Sequence, residues 1–207
     1  MKRLGSLFNT ISAIIILVFS LSAWGADSPL SIIQASVGKT LTPLQDPSYQ
    51  GPAHRQERLA KAEQVIIAHF DTQEFARRAL GAYWDQRSVA EQREFVEVFT
   101  ALVARTYTDI IDRHAKGVKV FYDKQSIDGS DAEVDTRVLS PSEDQPVSVN
   151  YMMHRVNGQW LIYDIQVDNV SIVLNYRSQF NHFLSTSSYP DLIQTMRSKL
   201  REITAAS

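Results

Sequence analysis

Between Gly117 and Asp168 apolar and polar residues alternate, and on either side the apolar residues recur every three or four positions. A chain that changes period twice, each time beside turn residues, reads as helices, then consecutive strands, then helices. Residues 118–122, 132–139, 147–156 and 160–167 are the four strands, joined by short polar turns that include Asp128-Gly129 and Asn157-Gly158. Short turns between successive strands imply an antiparallel meander. The fold class is therefore α+β, a curved four-stranded antiparallel sheet covered by N- and C-terminal helices.

The helical parts carry their own start and stop signals. Leu30, Ile33, Val37 and Leu41 predict a first helix that stops before Pro43, and Leu59, Ala62, Ile66 and Phe70 predict a second over about 53–70. Asp71 caps a short helix ending near Gly81. Ser88 and Glu91 form a capping box for the strongest helix, whose stripe is Phe95, Val98, Phe99, Leu102, Val103, Thr106 and Ile110. In the last strand Leu161, Tyr163, Ile165 and Val167 alternate with Trp160, Ile162, Asp164 and Gln166, so both faces are apolar and both are covered. Asp168 or Asn169 then caps a helix carrying Val170, Val173, Leu174, Arg177 and Phe180. Tyr189-Pro190-Asp191 starts a final helix with Leu192, Ile193, Met196 and Leu200.

The first residues state a compartment. Lys2 and Arg3 precede an uncharged stretch from Leu4 to Ala23 with an apolar centre from Ile11 to Leu21, and Ala23-Trp24-Gly25 supplies small residues at a cleavage site. That order is a secretory signal peptide over 1–25, with an uncleaved membrane anchor as the competing reading. The remaining 26–207 is one domain: a helical part 26–116, the sheet 117–168 and C-terminal helices 169–207. It holds 19 basic and 23 acidic residues, and it is expected to be soluble and monomeric. No concentrated basic face suggests nucleic acid. The chain has no cysteine, which excludes a lipoprotein anchor and a disulfide framework.

Catalytic signatures are missing. There is no nucleophile elbow, phosphate loop, zinc-binding His-Glu-x-x-His or dinucleotide fingerprint, and the five histidines share no metal-ligand spacing. Asp164, in an apolar strand beside Tyr163, is the best candidate for a general base. The alternative is that it anchors the following helix through Arg177 or a backbone amide. Tyr83-Trp84 divides between core packing and a pocket entrance. What is abundant is apolar surface, and the residues alone do not separate a filled core from a cavity.

Trp160, Tyr163-Asp164, Val170-Ser171 and Asn175-Tyr176-Arg177-Ser178-Gln179-Phe180 resemble the C-terminal signature of the MlaC family, also called the toluene-tolerance family. The resemblance extends to Leu80-Gly81-Ala82-Tyr83-Trp84, Arg93 to Phe95, Phe99, Arg105 and Tyr107. Asn169 departs from it, since the family commonly has Gly there. The resemblance implies a cystatin-like or nuclear-transport-factor-like curved sheet. It also implies a periplasmic phospholipid carrier that maintains outer-membrane lipid asymmetry, without enzymatic activity or cofactor. Its partners would be an inner-membrane ABC transporter with a ring of substrate-binding domains and an outer-membrane lipoprotein–porin complex. A lipid pocket is implied between sheet and helices. Its expected lining is Phe95, Phe99, Leu102, Val134, Val149, Tyr151, Met153, Tyr163, Ile165, Val170 and Val173, with Tyr151, Met153, Tyr163 and Ile165 on one sheet face. Two alternatives stay open: a small curved-sheet enzyme with Asp164 as base, and a carrier of another apolar molecule.

Overall fold

A computed structural model describes residues 28–49 and 51–206, so the signal-peptide reading of 1–25 lies outside the described residues. Six helices and five strands follow one another as α1 (Pro29–Gln45), α2 (Arg55–Ala68), α3 (Thr72–Leu80), α4 (Val89–His114), β1 (Lys119–Asp128), β2 (Asp131–Leu139), β3 (Val147–Val156), β4 (Gln159–Val167), β5 (Val170–Ser171), α5 (Ile172–Leu184) and α6 (Tyr189–Ala205). Each strand pairs antiparallel with the next, so the sheet is an open meander in the order β1-β2-β3-β4-β5.

Local chemistry fixes the helix ends. The Ser88–Glu91 capping box opens α4, a second box from Ser188 and Asp191 opens α6, and Asp71 accepts the Glu74 amide at the start of α3. Pro43 does not end α1, which runs two residues past it, beyond the stop read from the sequence. The start of α5 also differs. Asp168 and Asn169 both have positive φ, 47° and 62°, as in a two-residue primed hairpin turn, and they return the chain to pair Val170 with Val167. The helix begins only at Ile172, capped by the Ser171 hydroxyl on the Leu174 amide. Asn169 thus occupies a left-handed position where Gly is at home and Asn is tolerated. That is a turn requirement, and not the helix cap expected there.

Three apolar clusters result, the smallest formed by Leu44, Leu59, Ala62 and Ala115. The helical core gathers Phe75, Leu80, Trp84, Phe95, Phe99, Phe180 and Met196 from α3 through α6. Trp84 is buried in it and Tyr83 packs against it, which decides that pair for core packing. The second core lies under α1, where Ile33 meets Ala132, Val134, Met153, Trp160 and Ile162 of the sheet. Helices α2 and α4 are clamped by buried ion pairs: Arg58 donates twice to Asp112 at 2.7 and 3.0 Å, and Arg105 pairs with Glu63 at 3.0 Å. The buried side of α4 accordingly turns, from Phe95, Phe99 and Leu102 near its start to Arg105 and Thr108 further on. It leaves Ile110, predicted as part of the stripe, 40% exposed.

Candidate functional site

Helices and sheet meet along β4, whose outer edge is covered in two places. The Ile162 amide donates to the His69 carbonyl and the Asp71 amide to the Ile162 carbonyl, both at 2.9 Å. Further along, β5 pairs with Gln166 and Val167. Between these covers lies Asp164, which is buried. One of its oxygens accepts the amides of Ile165 (2.8 Å) and Val173 (3.1 Å), and the other accepts the Ser171 hydroxyl (2.5 Å). The carboxylate therefore ties β4 to the first turn of α5, where negative charge is favoured by the free amides of a helix start. A carboxylate holding three donors is an anchor, and its lone pairs are engaged rather than aimed at a substrate.

Arg177 is not the partner of Asp164 that the sequence suggested. It reaches back across Gly81 and donates through Nε to the Arg78 carbonyl at 2.6 Å, satisfying one of the carbonyls left free in the last turn of α3. The approach is close, since a methyl on Gly81 would stand 3.3 Å from Arg177 Cδ. The hydroxyl of Ser171, the cap of α5, already engages the aspartate.

The sheet face under α1 is a ladder of four rows set by the strand register. Ala132, Met153 and Ile162 form the first row, Val134, Tyr151 and Ile165 the second, Thr136, Val149 and Val167 the third, and Val138 and Val147 the fourth. Burial decreases along it. The first row is buried throughout; Tyr151 and Ile165 are half-buried in the second, Val149 and Val167 in the third, and both residues of the fourth. The open end is continued by Val170 and Leu174, which are 59% and 57% exposed. Phe70 and Ile165 are the residues packed against both cores, so the seam between helices and sheet runs through them.

Tyrosines stand beside this seam. Tyr176 packs edge-on to Phe99 at 5.0 Å between ring centres. Burial raises its phenol to about 12, with a further contribution from Tyr107, and burial followed by the Asp164 charge raises Tyr107. Tyr151 is pushed up by burial first and then by Tyr122. All of these phenols are neutral at physiological pH.

The expected lining is thus divided. Phe95, Phe99, Leu102 and Val173 belong to the helical core; Val134 and Met153 belong to the core under α1; Val149, Tyr151 and Ile165 lie on the graded face; Val170 is at its open end. Tyr163 is on the opposite side. A bulge in β4 pairs Met152 with Asp164 and Met153 with Ile162, leaving Tyr163 as the extra residue, so the alternation breaks there. Its ring lies between Arg78, 4.0 Å away, and His154, 5.2 Å away, while His154 bonds Asp71 at 3.0 Å. Tyr122 on β1 packs against the core under α1 and was not among the expected lining residues, although it lies within the expected strand, which runs six residues further, to Asp128. Two surface hollows, of about 460 and 410 Å³, run along α6 and include no sheet residue.

The chain matches a family model described as MlaC protein over residues 34–198. Among solved structures, a phospholipid-binding protein from Ralstonia solanacearum, in complex with a phospholipid, aligns with a TM-score of 0.73 at 21% identity, covering 84% of this chain and 98% of its own. A de novo designed protein with a curved β-sheet aligns over 31% of this chain and 59% of its own, with a TM-score of 0.27 at 17% identity. No curated protein sequence matches.

Proposed function

The chain belongs to the MlaC family, and on that footing we propose that it is a periplasmic phospholipid carrier whose acyl chains enter along the graded sheet face toward the seam at Ile165 and Phe70. The observation that carries this reading is the gradient itself. A face that begins as dry core and ends half-covered offers apolar surface to a guest without dismantling the fold. The lipid-bound state of the similarly folded Ralstonia solanacearum protein supports the choice of ligand. Headgroups would stay at the open end in water, so no dedicated headgroup motif is required.

Energetics favour exchange over storage. Two acyl chains hold about 28 methylenes, and at ~0.8 kcal/mol each their removal from water is worth about 22 kcal/mol. That exceeds the practical ceiling of non-covalent affinity, roughly 21 kcal/mol. The donor is a bilayer in which the chains are already buried, so net transfer between membrane and carrier lies near zero and a partner can drive it either way. We place the carrier between an outer-membrane lipoprotein–porin complex and an inner-membrane ABC transporter, in the upkeep of outer-membrane lipid asymmetry. The engagement of Asp164 by three donors argues against the enzyme alternative.

Organic extraction and mass spectrometry of protein purified from the periplasm tests the reading. Diacyl phospholipid in near-stoichiometric amount is the expected result. An empty protein, or one loaded with a different apolar molecule, overturns it.

A further inference from the structure

Strand β1 is the open edge of the sheet: among the described residues it pairs with β2 alone. Such an edge presents a row of backbone donors and acceptors to any second strand. Phe121 and Ile127 on it are 41% and 51% exposed.

The edge is complementary to itself when turned end for end. Its sequence is Lys-Val-Phe-Tyr-Asp-Lys-Gln-Ser-Ile-Asp. Set antiparallel to another copy about an axis between Asp123 and Lys124, it places Lys119 opposite Asp128, Val120 opposite Ile127, Phe121 opposite Ser126, Tyr122 opposite Gln125 and Asp123 opposite Lys124. Every charge then meets its opposite, Asp123 and Lys124 in addition to their pairs with Arg137 and Asp135 of the same copy. A slip of one residue in either direction sets Asp123 against itself or Lys124 against itself, and like charges directly opposed destabilise a sheet.

Geometry permits this register for a reason specific to β1. A two-fold axis normal to the sheet keeps each side chain on its own face, so opposed residues must point the same way. In a regular strand Val120 and Ile127 point to opposite faces. Here a bulge intervenes: Tyr122 pairs with Thr136 and Lys124 with Asp135, leaving Asp123 as the extra residue. Val120, Tyr122, Gln125 and Ile127 consequently pair with Val138, Thr136, Val134 and Ala132, alternate residues of β2 that share one face. The irregularity that commonly guards an edge makes the one charge-matched register also the face-matched one.

We propose that β1 pairs antiparallel with β1 of another copy of this chain, with Asp123 and Lys124 at the axis, so that one sheet runs continuously through both copies and their α1-covered faces lie on the same side. A single strand-to-strand contact is smaller than a standard interface, so the pair forms at high protein concentration and dissociates on dilution. The pairing is independent of the lipid reading.

Sedimentation velocity on the purified protein, with Lys119→Asp and Asp128→Lys, tests it. Both residues are exposed, so both variants are expected to fold, which circular dichroism checks. The native protein dimerises reversibly, and added salt weakens the dimer. Each variant alone faces like with like at both ends and dimerises about tenfold more weakly. An equimolar mixture of the two restores opposite charges at both ends and returns to native affinity. A native protein that stays monomeric at its solubility limit overturns the proposal. So does a dimer indifferent to either substitution, or a mixture no tighter than its components.

Discussion

The helical core and the α1-facing side of the sheet use the same residue types and differ in how far those residues are covered. In the helical core Phe99 stacks on Phe75 and Phe95, each with ring centres 5.3 Å away, and meets Phe180 edge-on at 5.3 Å. On the sheet, burial falls from the first row, where Met153 is fully buried, to the fourth, where Val138 and Val147 are both half-buried. On the proposed reading stability and binding are separable along the molecule, and substitutions should separate them.

The largest effect is expected at the centre of the closed region. Phe99→Ala removes a ring in contact with four others and should destabilise the fold by about 3–5 kcal/mol in chemical denaturation. A loss below about 1 kcal/mol would mean that the helical core yields as readily as the sheet face. Next comes the tie between the two regions. Asp164→Ala leaves the Ser171 hydroxyl and the Val173 amide without their acceptor and should cost about 3 kcal/mol, whereas Asp164→Asn keeps an acceptor and costs less. Equal losses would mean that the carboxylate charge, and not its hydrogen bonds, holds α5.

How much of this was legible in the sequence depends on whether a feature alters composition or only register. The order of the helices and four long strands, the Ser88–Glu91 capping box and the cap at Asp71 were readable, because periodicity and cap residues are local. The bulges at Asp123 and Tyr163 were not, since an extra residue leaves the alternation plausible and shows only against the neighbouring strand. That single shift moved Tyr163 to the far side of the sheet. Asn169 was misread for a related reason: Asp-Asn serves a turn as well as a helix cap, and the pairing of Val170 with Val167 decides between them. Of the candidate site, the apolar strand positions were visible, but their graded covering was not, because burial depends on where α1 and the helical core end.

The smallest effect concerns the outside of the closed region. Arg77 foremost, then Arg78, hold the Glu74 carboxyl at about 2, below its ordinary 4.5. A lowered folded-state value stabilises the protein above pH 4.5, and that stabilisation is lost as pH falls from 4.5 toward about 2. Both arginines are substantially exposed, so the contribution is about 1 kcal/mol or less. Glu74→Gln should flatten the acid limb of the stability curve in that window and leave neutral-pH lipid content unchanged. A lipid defect would link α3 to the binding region.

The central claim is that lipid occupies the half-covered sheet face while the helical core only supports it. Val149→Glu addresses it most directly, with bound phospholipid and thermal melting measured on the same preparation. Val149 is half-buried in the third row, so water can reach a carboxylate there, but an acyl chain cannot satisfy one. The account predicts a cooperative melt close to that of the native protein together with loss of bound phospholipid. A folded variant that still carries phospholipid would contradict it and place the lipid elsewhere.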